Sequence, residues 1–350
     1  MDNANKKISI EIAPGAIFKI LFVIALLWLA YLIREVVAIL FFALLLVSIF
    51  EPMVTWLRQK KMPKLLAVLL IYLILLAFLA LIVTLLVSPI TDQAEQLSAN
   101  FPQYWEKIID HFSNLTQFLN NYGISQPLKS YLDSLKSALP LTTGGLFATI
   151  QDFFGNIFAL FVILVITFYL LVEENATKKI LHSVVPLDSL PYAYQMFNRI
   201  EKQLGLWLRG QLFLCFCIFL LVYLVLLALG VKYALILAII AGLLEFIPYL
   251  GPAFSGFIAV VLTFSHSPLQ ALLVLAAYIL IQSFENHILV PNVMRRAVGL
   301  NPVISILALL IGAKLGGFVG VILAIPLATA VNVFFQDFLE NKRTEDIKLE

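Results

Sequence analysis

The chain has 350 residues, 62% hydrophobic and 13% charged, with a formal net charge of +2 and a mean hydropathy of +0.99. Soluble domains stop near ~45–50% apolar content, so this composition excludes a water-soluble globular protein and predicts a polytopic protein with the lipid bilayer as its solvent. Basic residues sit at segment ends and form no patch on a soluble face, which argues against nucleic-acid binding.

The first apolar run, Ala16 to Ile33, follows Lys6 and Lys7. It is longer than a signal-peptide core and no small-residue cleavage site follows it, so it is expected to stay as a transmembrane anchor. Five further runs are long enough to cross: Val36 to Trp56, Leu65 to Val87, Leu146 to Val172, Gln211 to Leu229 and Leu269 to Leu289. Basic residues border the second run (Arg58, Lys60, Lys61, Lys64) and the last (Arg295, Arg296), which places those borders, and both termini, in the cytoplasm. The segment Thr91 to Pro140 carries more acids than lysines and belongs outside, as alternation of the spans also requires. Within it Ile108, Phe112, Leu115 and Leu119, then Leu128, Leu132, Leu135 and Leu139, recur at helical spacing. This predicts two amphipathic helices around a break near Gly123 and Ser125. Their stripes suit mutual packing, the membrane surface or an oligomer contact, with a substrate-binding domain the alternative. A similar stripe, Phe197, Ile200, Leu204 and Leu208, predicts a cytoplasmic interfacial helix. Cys215 and Cys217 lie in an apolar run and read as small hydrophobes.

Two regions are too short to fit. Ala234 to Phe246 and Ala253 to Phe264 flank "EFIPYLGP", and Pro302 to Ala313 and Gly317 to Leu327 flank "KLG". Each half is at most about 20 Å long as a helix, against a hydrocarbon core of about 30 Å. Length therefore favours two re-entrant hairpins over four short spans, although both leave the loops on the same sides. The first hairpin follows an outward span and the second an inward one, an inverted repeat of the kind secondary transporters use. The expected fold is all-α, a polytopic membrane protein with about six full spans plus two re-entrant helical hairpins and an outer amphipathic segment. Its parts are N-terminal scaffold spans (1–89), an extracytoplasmic helical segment (90–145), a fourth span with the interfacial helix (146–209), a transport region holding both hairpins (210–340) and a cytoplasmic tail (341–350).

Glu245 is the sharpest residue. A carboxylate in an apolar run costs roughly 2.5–3.5 kcal/mol on insertion scales and usually faces a cavity or partner; a shallow, wet hairpin tip is the alternative. Pro248, Gly251 and Pro252 permit the helix break by themselves, and Tyr249 offers a hydroxyl to a ligand or anchors the tip. Lys314 is the counterpart in the second hairpin, a candidate partner for Glu245 or a snorkelling lysine. Gln282, Glu285 and Asn286 share one helical face and are candidates to line a solute or ion path. His111, His182, His266 and His287 lack metal-ligand spacing, so no metal or other cofactor is expected. There is no phosphate loop, no G-x-S-x-G and no H-E-x-x-H, which argues against ATP hydrolysis and against an enzyme.

Glu245 to Pro252, with "ENHILVPNVMRRAVGLNPVISILALLIGAKLGGFVGVILAIPLATA", Glu285 to Ala330, resembles the autoinducer-2 exporter family of bacterial permeases. The resemblance implies a multi-pass protein of the bacterial inner membrane, with re-entrant hairpins and a homo-oligomeric, pentameric assembly. It implies secondary export of a small polar solute, with autoinducer-2 the leading candidate and a place in quorum sensing. Sodium or another cation exchanged for protons is the alternative, with Glu245 and Glu285 titrating, and a structural or regulatory membrane protein is a further one.

Overall fold

The computed structural model describes residues 34–120, 157–173, 185–248, 250–294 and 301–349, together with positions 28, 32, 179 and 181–183. Most of the first expected span, the second outer stripe with Gly123 and Ser125, and Arg295 and Arg296 lie outside the described residues. All the elements described are helical: α1 (Arg34–Gln59), α2 (Lys64–Asn120), α3 (Ile157–Val172), α4 (Leu190–Ala228), α5 (Ala234–Leu244), α6 (Leu250–Phe264), α7 (Pro268–Phe284), α8 (Val290–Met294) and α9 (Pro302–Leu349). Among the described residues, five helical runs are long and apolar enough to cross a membrane. The helices begin where local chemistry satisfies their free amides. Ser267 accepts from Gln270 N at 3.3 Å ahead of Pro268, and Asn301 Oδ1 accepts from Val303 N at 2.9 Å ahead of Pro302.

The α1–α2 turn defines a basic end of the bundle. Lys61 takes a left-handed conformation there (φ 65°), Lys60 lies 3.7 Å from the Trp56 ring centroid, and Lys64 donates to the Glu173 carbonyl oxygen at 3.2 Å. From this end α2 runs unbroken for 57 residues, about 85 Å at 1.5 Å per residue. That is far more than a bilayer needs, so its second half projects beyond the opposite end. The expected outer stripe from Ile108 to Leu119 is therefore carried on a continuation of a span. The stripe Phe197 to Leu208, expected on the cytoplasmic side, is likewise in the first half of α4, which continues without a break into the span beginning at Gln211.

Three apolar clusters hold the bundle together. The first joins α1, α2 and α3 around Val54, Val68 and Leu171, and Tyr72 donates to the Leu164 carbonyl at 2.8 Å within it. The second joins α2, α4, α5, α6 and α7; the third brings α1, α4 and α9 around Trp207 and Ile247. Lipid is as apolar as leucine, so close packing rather than burial from water decides such contacts. Small residues provide it: Ala238 and Ala241 are buried on α5, and a Cβ on Gly242 would lie 2.8 Å from Phe219 Cβ. Leu73, Phe158 and Leu280 point outward, each at least two-thirds exposed, as side chains facing hydrocarbon do.

Both anomalous regions are helical hairpins. Residues Glu245 to Pro248 turn the chain from α5 into α6, and both arms return to the end opposite the basic one, where Tyr233 and His266 meet Tyr104 of α2. In α9 the backbone at Gly317 is non-helical (φ 56°, ψ −136°), and Gly312 and Gly320 touch backbone to backbone. Residues eight apart in a straight helix are about 12 Å from each other, so the chain doubles back at Gly317. The returning arm reaches the basic end, where Arg199 of α4 pairs with Asp337.

Candidate functional site: a carboxyl cluster at the first hairpin tip

The tip is built from short-range bonds that no straight helix makes. Ile247 N donates to Leu244 O at 2.9 Å and Leu250 N to Pro248 O at 2.8 Å. Gly251 then packs so tightly on Leu244 that a Cβ would lie 1.9 Å from its carbonyl oxygen. Glycine is the one residue that fits, and the prolines supply the bends without leaving amides unpaired. The Phe246 ring meets Trp207 edge-on, centroids 5.8 Å apart, and Gln211 Nε2 donates to the Glu245 carbonyl at 2.6 Å. These contacts fix the tip against α4. Ala234 to Leu244 measures about 16 Å at 1.5 Å per residue, and the Gln211 side chain reaches across from α4 to meet the tip. The short connection Gly230 to Tyr233, with both of those residues left-handed (φ 65° and 62°), sends α5 straight back along α4.

Glu245 is 2% exposed. Its carboxyl neighbours that of Glu285 from α7, and its Oε2 is buried without a hydrogen-bond partner among the described residues. At Glu285 the helix widens into one π-turn, Glu285–Leu289, a feature that recurs at functional sites. Gln282 Nε2 reaches Glu285 Oε2 at 3.2 Å and Asn286 Oδ1 at 3.4 Å. The amides thus orient one carboxyl while the other keeps a free oxygen. Two buried acids with the buried amide of Gln211, the half-buried Gln282 and the exposed Asn286 at their edge form a site able to hold a proton, a cation or a polar solute.

Of the residues singled out in the sequence, Glu245, Gln282, Glu285 and Asn286 come together. Pro248, Gly251 and Pro252 shape the tip, and Tyr249 lies outside the described residues. Lys314 stands apart, exposed beside the α9 turn, and no ion pair among the described residues joins it to Glu245. The helices place an acid, not a lysine, against Glu245, because α7 crosses the tip and the α9 turn does not.

Three residues went unnoticed. Gln211, 2% exposed, heads an otherwise apolar run, and that position was its only signal. Tyr278 and Ser255 lie where α6 meets α7. The Tyr278 ring packs on Gly256 with its hydroxyl buried beside Ser255, whose Oγ donates to Pro252 O at 3.2 Å. Among the described residues no group of His, Cys, Asp or Glu is arranged to hold a metal ion.

A multi-pass helical bundle whose broken hairpin carries a buried carboxyl inward, against a second one from a neighbouring helix, is the architecture of a membrane transporter. Comparison with known sequences agrees: a family profile described as AI-2E family transporter matches residues 20–340, and the chain belongs to that family. YueF of Bacillus subtilis (strain 168), named as a candidate transport protein, is 29% identical over 317 residues, covering 85% of this chain and 84% of its own. YrrI of the same organism, named likewise, is 27% identical over 309 residues, covering 86% and 87%. The AI-2 transport protein TqsA of Escherichia coli (strain K12) is 27% identical over 305 residues, covering 85% of each chain.

Proposed function

We propose that the chain is a secondary transporter that exports a small polar solute across the bacterial inner membrane, with autoinducer-2 the leading candidate. Its termini face the cytoplasm, and it works as a homo-oligomer. The observation that carries the reading is Glu245, buried at a helix break with an unpartnered oxygen and a second carboxyl beside it. Such a group costs insertion energy that packing alone does not recover. Name and family likeness to TqsA support the solute, at 27% identity. The basic end matches the cytoplasmic side by its lysines and arginines, so α5–α6 enters from outside and α9 from the cytoplasm as re-entrant hairpins. The two then form an inverted repeat whose relative movement exposes the cluster to either side.

The pairing of Glu245 with Glu285 favours a second reading, exchange of a cation such as sodium for protons, in which the pair carries the exchanged ion. One experiment addresses both. Purified protein in proteoliposomes is assayed for efflux of labelled autoinducer-2 and for sodium flux under an imposed proton gradient, beside Glu245→Gln. The variant keeps the shape of the tip and the bond from Gln211, which ends on the main chain. Flux per folded protein is expected to fall at least about tenfold, equivalent to roughly 1.4 kcal/mol, with an unchanged melting curve. Wild-type flux in the variant removes Glu245 from the mechanism. Lost folding with unchanged flux per folded molecule makes it structural.

A further inference from the structure

At the end opposite the basic one, the projecting part of α2 leans over the base of the first hairpin and forms with it an open cleft of about 580 Å³, within the range of small-molecule sites. One wall is α2, whose Gln93, Gln96, Asn100 and Gln103 line the cleft at helical spacing. The other wall is the α4–α5 turn and the α6–α7 loop. Gln93 Oε1 accepts from Ile236 N at 3.2 Å, which ties α2 to the hairpin and leaves the Gln93 amide nitrogen to face the cleft.

Three features give this space a chemistry. Two lysines line it, Lys107 from α2 and Lys232 from the turn, and among the described residues no carboxylate lines it and neither lysine has an ion-pair partner. Tyr104 and Tyr233 join their hydroxyls at 3.0 Å, and His266 packs on the Tyr104 ring with centroids 4.6 Å apart. Tyr233 also holds a left-handed backbone (φ 62°), a strain that a β-carbon-bearing residue accepts only where its surroundings demand it, and that gathers at ligand sites. Cations, amides and phenols without an opposing acid select a negative group that also carries hydroxyls. Lysines supply the charge, while amides and phenols bond to hydroxyls from either direction.

We infer that this vestibule binds a small hydroxyl-bearing anion, of the size of a pentose phosphate, before or after it passes the hairpin. Its place on a transport path rests on the function proposed above; the binding itself does not. The test is calorimetric titration of the full chain in nanodiscs with ribose 5-phosphate, ribose and inorganic phosphate as probes. Ribose 5-phosphate should bind saturably and at least about tenfold more tightly than either fragment, and should weaken as salt rises. Lys107→Gln combined with Lys232→Gln should lose that binding, and Lys232→Arg should keep it. Glu245→Gln should bind as wild type does, so the vestibule is scored separately from transport. Three outcomes overturn the inference: no saturable binding of ribose 5-phosphate, ribose bound as tightly as its phosphate, or loss of binding in Glu245→Gln. A folded double lysine variant that binds like wild type does so too. If that variant does not fold, the salt dependence of the wild type decides, and its absence counts against the site.

Discussion

Gly312→Ala distinguishes a doubled-back α9 from a straight one by the sign of its effect. In a straight helix, alanine in place of an interior glycine is stabilising by about 1 kcal/mol. In the hairpin, a Cβ on Gly312 would lie 2.3 Å from the Gly320 carbonyl oxygen and 3.0 Å from Ala324 Cβ. Ordinary contact needs 3.4 Å or more, so the two arms must part by roughly 1 Å, and overpacking of that kind costs about 1–3 kcal/mol. Gly320→Ala meets the Gly312 carbonyl at 2.0 Å and should be at least as harmful. Gly316 has nothing within 4 Å of a built Cβ, so Gly316→Ala is the control and should be neutral or slightly stabilising. The assay is denaturant-induced unfolding of the purified protein, with thermal melting beside it. If Gly312→Ala and Gly316→Ala both stabilise by similar amounts, the arms do not touch, residues 302–337 form one span, and the second hairpin is lost with the inverted repeat.

Gln211→Leu removes the donor to the buried Glu245 carbonyl while keeping apolar bulk, and should cost about 1–3 kcal/mol, read as a lowered unfolding midpoint, with faster hydrogen exchange at residues 245–251. Unchanged exchange there detaches Gln211 from the tip. His266 is held below its ordinary pKa of 6.5, first by burial and also by Lys232 and Lys107. The contact it makes with Tyr104 is therefore fully present above about pH 6.5 and is lost as the pH falls through the lower, folded value. Hydrogen exchange of residues 96–107, corrected for its intrinsic pH dependence, should speed up on acidification in the wild type, and His266→Gln should abolish that difference.

Several features are decided along the chain itself, by forces that act between neighbours in sequence. An apolar run longer than the bilayer must cross it or be buried. Pro248 and Gly251, and the glycines around Lys314, weaken a helix locally, and the hairpin turns fall beside them. The cost of a lone acid among leucines marked Glu245 before any contact was known, and one helical face collected Gln282, Glu285 and Asn286. What faces Glu245 was another matter. Periodicity reports the neighbours of a residue on its own helix, whereas the partner across a bundle depends on how closely two helices approach. Here the small residues Ala238, Ala241 and Gly242 let α5 lie against α4, and the turn at Gly230 to Tyr233 sets how far it descends. That register brings Gln211 to the Glu245 carbonyl and Glu285 to its carboxyl, and leaves Lys314 exposed at another turn. The vestibule has the same origin. Its amides repeat on one face of α2, but they become a wall only because α2 runs unbroken past the membrane and leans on Tyr233 and His266, contacts that join residues more than a hundred positions apart.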